Sequence, residues 1–316
     1  MYVKIASLNV NGISTKEDQY KLELFLKTTK IDILLAQEHN LKINFNVNAI
    51  DVGYDIYVNA SIQQKGGTAI FVRKNSGINV LNVQMHPSSR IMCMSIKINN
   101  LVFKILNVNG HLGPRLKTDR ENLFSQEVPF YLQGNLDNVI FGGDFNCILS
   151  EKDVSNYHPY IMSNNLKLLC NDLKLYDIHN ICNKHVPQYT YIKDGYGSRI
   201  DKIYVNKLKN NISNFCTVPV SHSDHHAVIF NLTITNVNRY KFSYWKFNAS
   251  VTEDYEVYEL LRHSWTIFKS KQIHCLDILA WWDMTNSDIA KLFMKIGKMK
   301  NAQKYGLLNL LENELK

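Results

Sequence analysis

The chain has 316 residues, of which 45% are apolar and 20% charged, and its formal net charge is +8. These values fit a soluble globular protein, and the basic balance suits a polyanionic partner such as nucleic acid. No apolar stretch approaches the roughly 20 residues that a membrane-spanning helix needs, so a membrane partner is not expected.

The N-terminal sequence and the cysteine pattern indicate the cellular compartment. The first five residues lead directly into a strand pattern, which predicts neither a signal peptide nor a transit peptide. The six cysteines include no C-x-x-C pair, and this favours reduced thiols over a disulfide or zinc framework. We therefore expect an intracellular protein. The cysteines are Cys93, Cys147, Cys170, Cys182, Cys216 and Cys275.

Apolar periodicity predicts an alternation of strands and helices over the first 235 residues. Ser14-x-x-Glu17 has the form of a capping box and predicts a helix that ends near Thr29. Further helices are predicted at Asp119–Leu132 and Asn164–Leu175. In chain order, the predicted strands are Val3–Val10, Ile31–Ala36, Gly66–Val72, Arg90–Ile98, Leu101–Val108, Val139–Phe141, Tyr189–Ile192, Arg199–Val205 and His226–Leu232.

The pattern changes near residues 236–239, where strand alternation stops. From there the sequence predicts helices, mainly over Glu253–Phe268 and Asn286–Leu315. We therefore expect two parts, residues 1–236 and residues 237–316. The first part holds the strand candidates together with a few helices, which indicates an α+β fold with two packed sheets.

Polar side chains recur where the predicted strands end. In N-V-I-F-G-G-D-F-N-C, over residues 138–147, an apolar run ends in two glycines, and Asp144 and Asn146 follow. The glycines let the backbone turn sharply and approach a ligand closely. One such residue is usually only a cap or a turn, but the set also includes Asn9, Glu38, Asp201 and Ser223-Asp224-His225.

Together these residues supply what hydrolysis of a phosphodiester requires. A carboxylate such as Glu38 provides oxygen ligands for a hard divalent cation. Asp144 can position and deprotonate the attacking water. The amides of Asn9 and Asn146 can donate to the non-bridging phosphate oxygens without adding charge. A histidine such as His225, paired with a second carboxylate, can bond to the phosphate or move a proton.

Five motifs resemble those of the endonuclease/exonuclease/phosphatase superfamily in their order and approximate spacing. They are L-N-V-N-G (8–12), Q-E (37–38), G-D-F-N (143–146), S-R-I-D (198–201) and S-D-H (223–225), and the resemblance covers about residues 1–235. Finer features, such as E-V-P-F-Y-L at 127–132 and Y-W-K-F-N at 244–248, are similar to endonucleases of LINE-type (non-LTR) retrotransposon polyproteins. In those polyproteins the next segment leads towards a reverse transcriptase.

The resemblance implies a DNase I-like fold, a four-layered α/β sandwich of two packed mixed sheets flanked by helices. A helical C-terminal segment would follow it. The implied activity is that of an endonuclease that nicks DNA with Mg²⁺, for which Mn²⁺ can substitute, and leaves a 3′-hydroxyl that primes reverse transcription. The implied partners are DNA and the reverse transcriptase portion of a parent polyprotein, and action on chromosomal DNA implies a nuclear location.

The resemblance also implies a role for each residue of the set. Asp144 would activate the water, and His225, oriented by Asp201, would bond to the phosphate. The implied metal ligands are Glu38, Asp224 and Asn11. The implied phosphate-binding residues are Asn9, Asn146, Thr190, Ser223 and Asn109.

One motif departs from the family pattern. Leu106–His111 reads L-N-V-N-G-H where the family usually reads N-V-Y-A-P, so Asn109 stands in place of a phosphate-binding tyrosine. Either Asn109 or His111 substitutes for it, or the site is weakened. Two alternatives stay open: an abasic-site endonuclease or exonuclease III-like repair nuclease, and a catalytically inactive nucleic-acid-binding remnant. A phosphoinositide or sphingolipid phosphodiesterase fits the finer motifs less well.

Overall fold

The computed structural model describes residues 2–44, 53–61, 65–134, 137–156, 161–182, 188–234, 252–272 and 278–314. The chain divides into two compact units, Met1–Val237 and Asn238–Lys316. The predicted change of pattern at 236–239 and the Y-W-K-F-N motif at 244–248 lie outside the described residues. None of the described helices is long and apolar enough to cross a membrane.

The described residues of the first unit form fourteen strands and five α-helices. The strands are β1 (Tyr2–Asn9), β2 (Ile33–Gln37), β3 (Tyr54–Asn59), β4 (Thr68–Arg73), β5 (Ile78–Met85), β6 (Ile91–Ile98), β7 (Leu101–Asn109), β8 (Val139–Asp144), β9 (Tyr176–Asp177), β10 (Tyr191–Lys193), β11 (Tyr196–Ser198), β12 (Asp201–Val205), β13 (Ile212–Pro219) and β14 (His226–Thr233). The helices are α1 (Lys16–Thr29), α2 (Lys117–Asn122), α3 (Val128–Tyr131), α4 (Asn164–Asp172) and α5 (Ile178–Cys182), and a π-helical turn over Leu123–Glu127 joins α2 to α3.

The strands form two six-stranded sheets and one hairpin. One sheet has the order β13-β14-β1-β2-β4-β3, the other has the order β5-β6-β7-β8-β12-β9, and β10 pairs with β11. Both large sheets are mixed, because β1 is parallel to β2 and β7 is parallel to β8, while the other pairs are antiparallel. The sheets pack face to face through apolar side chains such as Leu35 and Ile105.

Helices cover the outer faces of both sheets. Leu22 and Leu26 of α1 pack on the outer face of the first sheet. Leu123, Leu166 and Leu169, from the helical segments after residue 116, pack on the outer face of the second sheet. The result is a four-layered sandwich of helices, sheet, sheet and helices, which confirms the fold predicted from the sequence.

The first helix begins one residue later than the capping-box motif predicts. Thr15, not Ser14, is the N-cap, and its hydroxyl accepts from the Asp18 backbone N–H at 3.1 Å and donates to the Asp18 carboxylate at 2.5 Å. Thr15 has the extended backbone (φ −93°, ψ 154°) that an N-cap requires, so the reciprocal pair is Thr15 with Asp18 rather than Ser14 with Glu17.

The described residues of the second unit are helical, as the sequence predicts. They form α6 (Tyr255–Gln272) and α7 (Ile278–Glu314), and α7 begins eight residues before the predicted Asn286. Within this unit, the indole N–H of Trp281 donates to the carbonyl oxygen of Phe268 at 3.1 Å.

Candidate active site

The topology brings the polar strand ends to one edge of the sandwich. The parallel strands β1 and β2 end at Asn9 and Gln37, with Glu38 next in the chain, and the parallel strands β7 and β8 end at Asn109 and Asp144. Because β12 and β14 run antiparallel to their neighbours β8 and β1, their first residues lie at the same edge. Asp201 pairs directly with Asp144.

Glycine makes this approach of strands possible. Gly143, next to Asp144, has a φ of +149°, and a Cβ there would lie 1.9 Å from the carbonyl oxygen of Val108. A Cβ on Gly110 would lie 2.2 Å from the carbonyl oxygen of Phe145. These contacts leave no room for a side chain at either position, so the backbone geometry that carries Asp144 depends on glycine.

Asp144 is buried and is held by two amide side chains. Its Oδ2 accepts from Nδ2 of Asn9 at 3.0 Å and from Nδ2 of Asn146 at 3.4 Å, and its Oδ1 accepts from the backbone N–H of Asn146 at 3.0 Å. Burial, together with the charges of Asp201 and Glu38, raises the pKa of Asp144 to about 7, although the charge of His225 and the bond from Asn9 oppose the rise. A carboxylate with this pKa can accept a proton from water near neutral pH.

His225 and Asp201 form a buried pair. Nδ1 of His225 lies 2.8 Å from Oδ2 of Asp201. Burial opposes the charged imidazole, but the charge and hydrogen bond of Asp201, with added effects of Asp144 and Asp224, raise the pKa of His225 to about 10. The pair therefore favours the charged imidazolium at neutral pH, and the carboxylate fixes the orientation of the ring.

Ser223 and Thr190 brace this pair. The hydroxyl of Ser223 donates to the carbonyl oxygen of Asn9 at 2.6 Å and accepts from the backbone N–H of His225 at 3.0 Å. Thr190 is buried, and its hydroxyl accepts from the backbone N–H of Asp201 at 3.1 Å. The structure thus brings both predicted residues into the site, where they fix the backbone of Asn9, Asp201 and His225.

The crowded carboxyl groups fit a hard divalent cation. Ligand atoms of Asp144, Asp201 and His225 lie within 4.8 Å of one another, and Oδ1 of Asp201 is buried with no hydrogen-bond partner among the described residues. The charges of Asp201 and Glu38 also disfavour ionisation of Asp144. A bound cation would relieve this repulsion with oxygen ligands of the type that Mg²⁺, Mn²⁺ and Ca²⁺ prefer.

The predicted metal ligands occupy the rim of this cluster. Glu38 is half-buried directly after β2, in the left-handed backbone region (φ +54°). Asp224 is exposed beside His225, and its charge contributes to the raised pKa of that residue. Asn11 is also exposed, and its backbone N–H donates to Oδ1 of Asn9 at 3.0 Å. Of the three predicted metal ligands, Glu38 has a charge that acts directly on Asp144.

The structure adds two arginines that sequence reasoning missed. Arg90 lies directly before β6, and its Nη1 donates to the carbonyl oxygens of Asn109 and Gly110, both at 3.2 Å. Arg120 is buried, and its Nη1 donates to the carbonyl oxygen of Asn146 at 3.0 Å. Neither residue belongs to a motif or follows a predicted strand, so the local sequence carried no signal for them.

A buried network of charges lies behind the S-R-I-D motif. Arg199 donates to Asp153 at 2.7 Å and to Asp177 at 2.6 Å, and Lys202 donates to the other oxygen of Asp153 at 2.6 Å. All four side chains are at least 92% buried. Because Arg199 and Lys202 flank Ile200 and Asp201 in the chain, the network holds the partner of His225 in place.

A cavity of about 290 Å³ opens beside Asn146. Its walls include the aromatic rings of Tyr191 and Tyr196, and Tyr191 also lies against His225 with ring centroids 5.0 Å apart. The cavity thus adjoins the candidate phosphate-binding groups.

A four-layered sandwich with a buried Asp–His pair, amide donors and clustered carboxylates at one strand edge is an arrangement suited to the hydrolysis of phosphate esters. The sequence matches the Endonuclease/Exonuclease/phosphatase family over residues 6–225, and the chain belongs to that family. It is therefore a hydrolytic nuclease of phosphodiester-cleaving type, and dependence on a divalent metal is general in the family.

Solved structures share the fold. An AP endonuclease from Leishmania major is 16% identical with a TM-score of 0.66, and the match covers 74% of this chain and 88% of that one. An AP endonuclease from Archaeoglobus fulgidus is 18% identical with a TM-score of 0.61, covering 73% and 100%. A 3′ phosphatase, NExo (D146N), from Neisseria, bound to a product DNA hairpin, is 19% identical with a TM-score of 0.60, covering 73% and 100%. Because these sequence identities are low, the similarities show a shared fold.

Proposed function

We propose that this protein is a Mg²⁺-dependent DNA endonuclease that nicks one strand and leaves a 3′-hydroxyl. The observation that carries the proposal is the arrangement at one strand edge of buried Asp144, held by the amides of Asn9 and Asn146, beside the His225–Asp201 pair. One group is suited to accept a proton, and the other presents a fixed positive charge.

In the proposed reaction, Asp144 accepts a proton from a water whose oxygen attacks the phosphorus. The bond from phosphorus to the 3′ oxygen breaks and the departing 3′ oxygen takes a proton from solvent water, which leaves a 5′-phosphate and a 3′-hydroxyl. The imidazolium of His225 donates to a phosphate oxygen as negative charge increases on it, while Asp201 holds the imidazole ring. The amide of Asn146 would exchange its long 3.4 Å bond to Asp144 for a bond to a phosphate oxygen. Asn9 keeps the carboxylate of Asp144 in its orientation.

Glu38 would hold the cation, with Asp224 and Asn11 at the outer side of the site. When bound, Mg²⁺ neutralises phosphate charge and lowers the pKa of water.

The finer part of the proposal is a role in retrotransposition. Motifs similar to those of LINE-type endonucleases support it, as does a second, helical unit after the nuclease unit. In this role the nick would provide the primer for reverse transcription, the reverse transcriptase portion of a polyprotein would be the partner, and the protein would act in the nucleus. The DNA hairpin bound by the related fold from Neisseria is consistent with DNA as the substrate class.

Removal of metal provides the direct test of activity. Supercoiled plasmid incubated with the protein and Mg²⁺ should convert to the open-circular form, and EDTA in excess of Mg²⁺ should abolish the conversion, because the clustered carboxylates then lack the cation that neutralises phosphate charge. DNA polymerase should extend the nicked product without prior end processing. Nicking that continues in EDTA, or nicks that the polymerase cannot extend, would contradict the proposal. Absence of nicking would favour the inactive remnant.

A repair nuclease is the second candidate, and the cavity beside Asn146 favours it. A cavity of about 290 Å³ next to the phosphate-binding groups could receive a sugar or base displaced from the helix. Cleavage rates on duplex oligonucleotides with and without one abasic site distinguish a repair nuclease from the proposed nicking enzyme. A repair enzyme cuts the abasic duplex at least about 10²-fold faster, the scale on which a site rejects a substrate that does not fill its contacts. The proposed nicking enzyme cuts the two at similar rates.

The second unit should be dispensable for nicking. A chain that ends at Asn236 keeps every candidate site residue and both sheets, so we expect it to remain soluble and to nick plasmid within about threefold of the full chain. Circular dichroism and the plasmid assay check this. Aggregation of the shortened chain, or a loss of nicking well beyond threefold, would show that α6 or α7 belongs to the nuclease core.

A further inference from the structure

Glu38, the proposed metal ligand, is linked to the catalytic carboxylate through the first sheet. Gln37, its neighbour in the chain, pairs with Asn9 across the parallel strands β2 and β1, and the amide of Asn9 donates to Asp144 at 3.0 Å. Glu38 itself lies in the left-handed backbone region, with a φ of +54°. Residues other than glycine seldom adopt this conformation and keep it only where surrounding contacts enforce it. Those contacts therefore determine the direction in which the Glu38 side chain leaves the strand end.

The backbone of Glu38 is held at both of its polar groups. Its N–H donates to the carbonyl oxygen of Gly67 at 2.9 Å, and its carbonyl oxygen accepts from the backbone N–H of Gly12 at 2.8 Å. Asn40 reinforces the first contact, because its N–H donates to the carbonyl oxygen of Gly66 at 3.0 Å and its Oδ1 accepts from the backbone N–H of Gly66 at 2.7 Å. Glu38 is thus held between the loop after β1 and the segment before β4.

The buried imidazole of His39 supports these contacts from the interior. Its Nδ1 accepts from the backbone N–H of Leu41 at 2.9 Å, so Nδ1 carries no proton and the neutral ring has its hydrogen on Nε2. Nε2 lies 3.3 Å from the carbonyl oxygen of Asn59, at the end of β3. A Cβ on Gly67 would lie 2.4 Å from Nε2, so the ring fills the space beside the residue that accepts from Glu38. Both ring nitrogens are therefore engaged within the protein.

We propose that His39 is a positioning residue that sets the Glu38 carboxylate for the divalent cation, an inference that rests on the proposed metal-dependent hydrolysis. The ring joins the turn after β2 to the end of β3 and packs against Gly67, whose carbonyl oxygen holds the Glu38 N–H. Without the ring, this turn loses its support and Glu38 is released towards the extended conformation that residues other than glycine prefer. Groups that orient a metal ligand in this way typically change metal affinity by about 10- to 100-fold.

Binding of Mn²⁺, which prefers the same oxygen ligands as Mg²⁺, provides a readout that does not depend on activity. The electron paramagnetic resonance signal of free Mn²⁺ is titrated with the parent and with three variants of His39. His39→Leu removes both ring nitrogens, His39→Asn retains an acceptor near the position of Nδ1, and His39→Gln retains a donor near the position of Nε2. His39→Leu should weaken Mn²⁺ binding by about 10- to 100-fold, and the other two variants should lie between it and the parent.

A second buried histidine separates positioning from a purely structural role. His179 is buried on α5, in a different part of the chain from the loops that hold Glu38. His179→Leu should lower the resistance to urea and leave the affinity for Mn²⁺ unchanged. In the plasmid assay, His39→Leu should raise the Mg²⁺ concentration needed for half-maximal nicking, while its rate at saturating Mg²⁺ stays within a few-fold of the parent.

Parent-like affinity for Mn²⁺ in His39→Leu overturns the inference, and so does an equal loss of affinity in His179→Leu. Circular dichroism checks folding of each variant. If His39→Leu does not fold, His39→Asn and His39→Gln provide the test, and parent-like affinity in both overturns the inference. Glu38→Gln distinguishes this inference from the proposed function, because undiminished Mn²⁺ binding by that variant would show that the proposed metal site itself is wrong.

Discussion

Replacing either Asp144 or His225 by alanine is expected to lower the rate of plasmid nicking by at least about 10²-fold. Asp144→Ala removes the buried carboxylate whose pKa near 7 suits it to take a proton from water. His225→Ala removes the imidazolium that Asp201 holds at 2.8 Å. Initial rates of open-circle formation at saturating Mg²⁺ measure both effects.

The double variant provides the control for this prediction. Because the charges of Asp144 and His225 act on each other, the two residues belong to one unit and their effects should not add. The double variant should therefore be about as slow as the slower single variant. His226→Ala is the matched control, since His226 is adjacent to His225 but begins β14, and it should keep activity within a few-fold. Undiminished nicking by either single variant would contradict the site assignment.

Replacing Asp153 by alanine is expected to lower the free energy of unfolding by about 3–5 kcal/mol, which is the range for removing one partner of a buried ion pair. The Lys202 side chain is 0% exposed and would lose the carboxylate to which it donates at 2.6 Å. Arg199 would keep Asp177 but would lose the two bonds that it donates to Asp153. Urea unfolding of the parent and the variant measures the difference.

An exposed ion pair serves as the comparison for Asp153. Asp137 pairs with Lys207 on the surface, where the two side chains are 59% and 72% exposed, so Asp137→Ala should change stability by no more than about 1 kcal/mol. An equal effect of both substitutions would show that the buried network contributes no more than a surface pair.

The contribution of Asp153 to the free energy of unfolding should decrease as the pH falls. Burial alone would raise the pKa of Asp153, but Lys202 and Arg199 hold it below the ordinary value of 3.8. A lowered pKa in the folded state stabilises the protein fully above the unfolded value, and this stabilisation is lost as the pH falls through the folded value. The difference between parent and Asp153→Ala should thus be constant at neutral pH and should shrink below pH 3.8.

The candidate site residues could be placed near one another because they lie at strand ends, after a strand (Asn9, Glu38, Asp144) or at or just before the start of one (Asp201, His225). Asp144 with Asn146 and Ser223 with His225 are local patterns, and the parallel and antiparallel pairing of a mixed sheet then brings their strand ends together. The partners of Arg90, Arg120 and Arg199 were not predictable in this way. Arg199, for example, pairs with Asp153 across 46 residues of chain, and only the folded topology sets that distance.

The strands that sequence reasoning missed are β11 of the hairpin and those at the edges of the two large sheets. Strands β3, β5, β9 and β13 are the outermost strands of the two large sheets. In β5, no residue is fully buried, and the segment I-N-V-L-N-V-Q-M contains polar side chains among the apolar ones. An edge strand buries less of its surface than a central strand, so its apolar alternation is weaker and its signal in the sequence is smaller.

Isotope labelling tests the central claim most directly, namely that water attacks the phosphorus at this site and releases the 3′ oxygen. A nicking reaction with Mg²⁺ is run in water enriched in oxygen-18, and the ends at the nick are analysed by mass spectrometry, with Asp144→Ala as the inactive reference. The account predicts one labelled oxygen in the new 5′-phosphate and an unlabelled 3′-hydroxyl. A labelled 3′-phosphate with a free 5′-hydroxyl would contradict it.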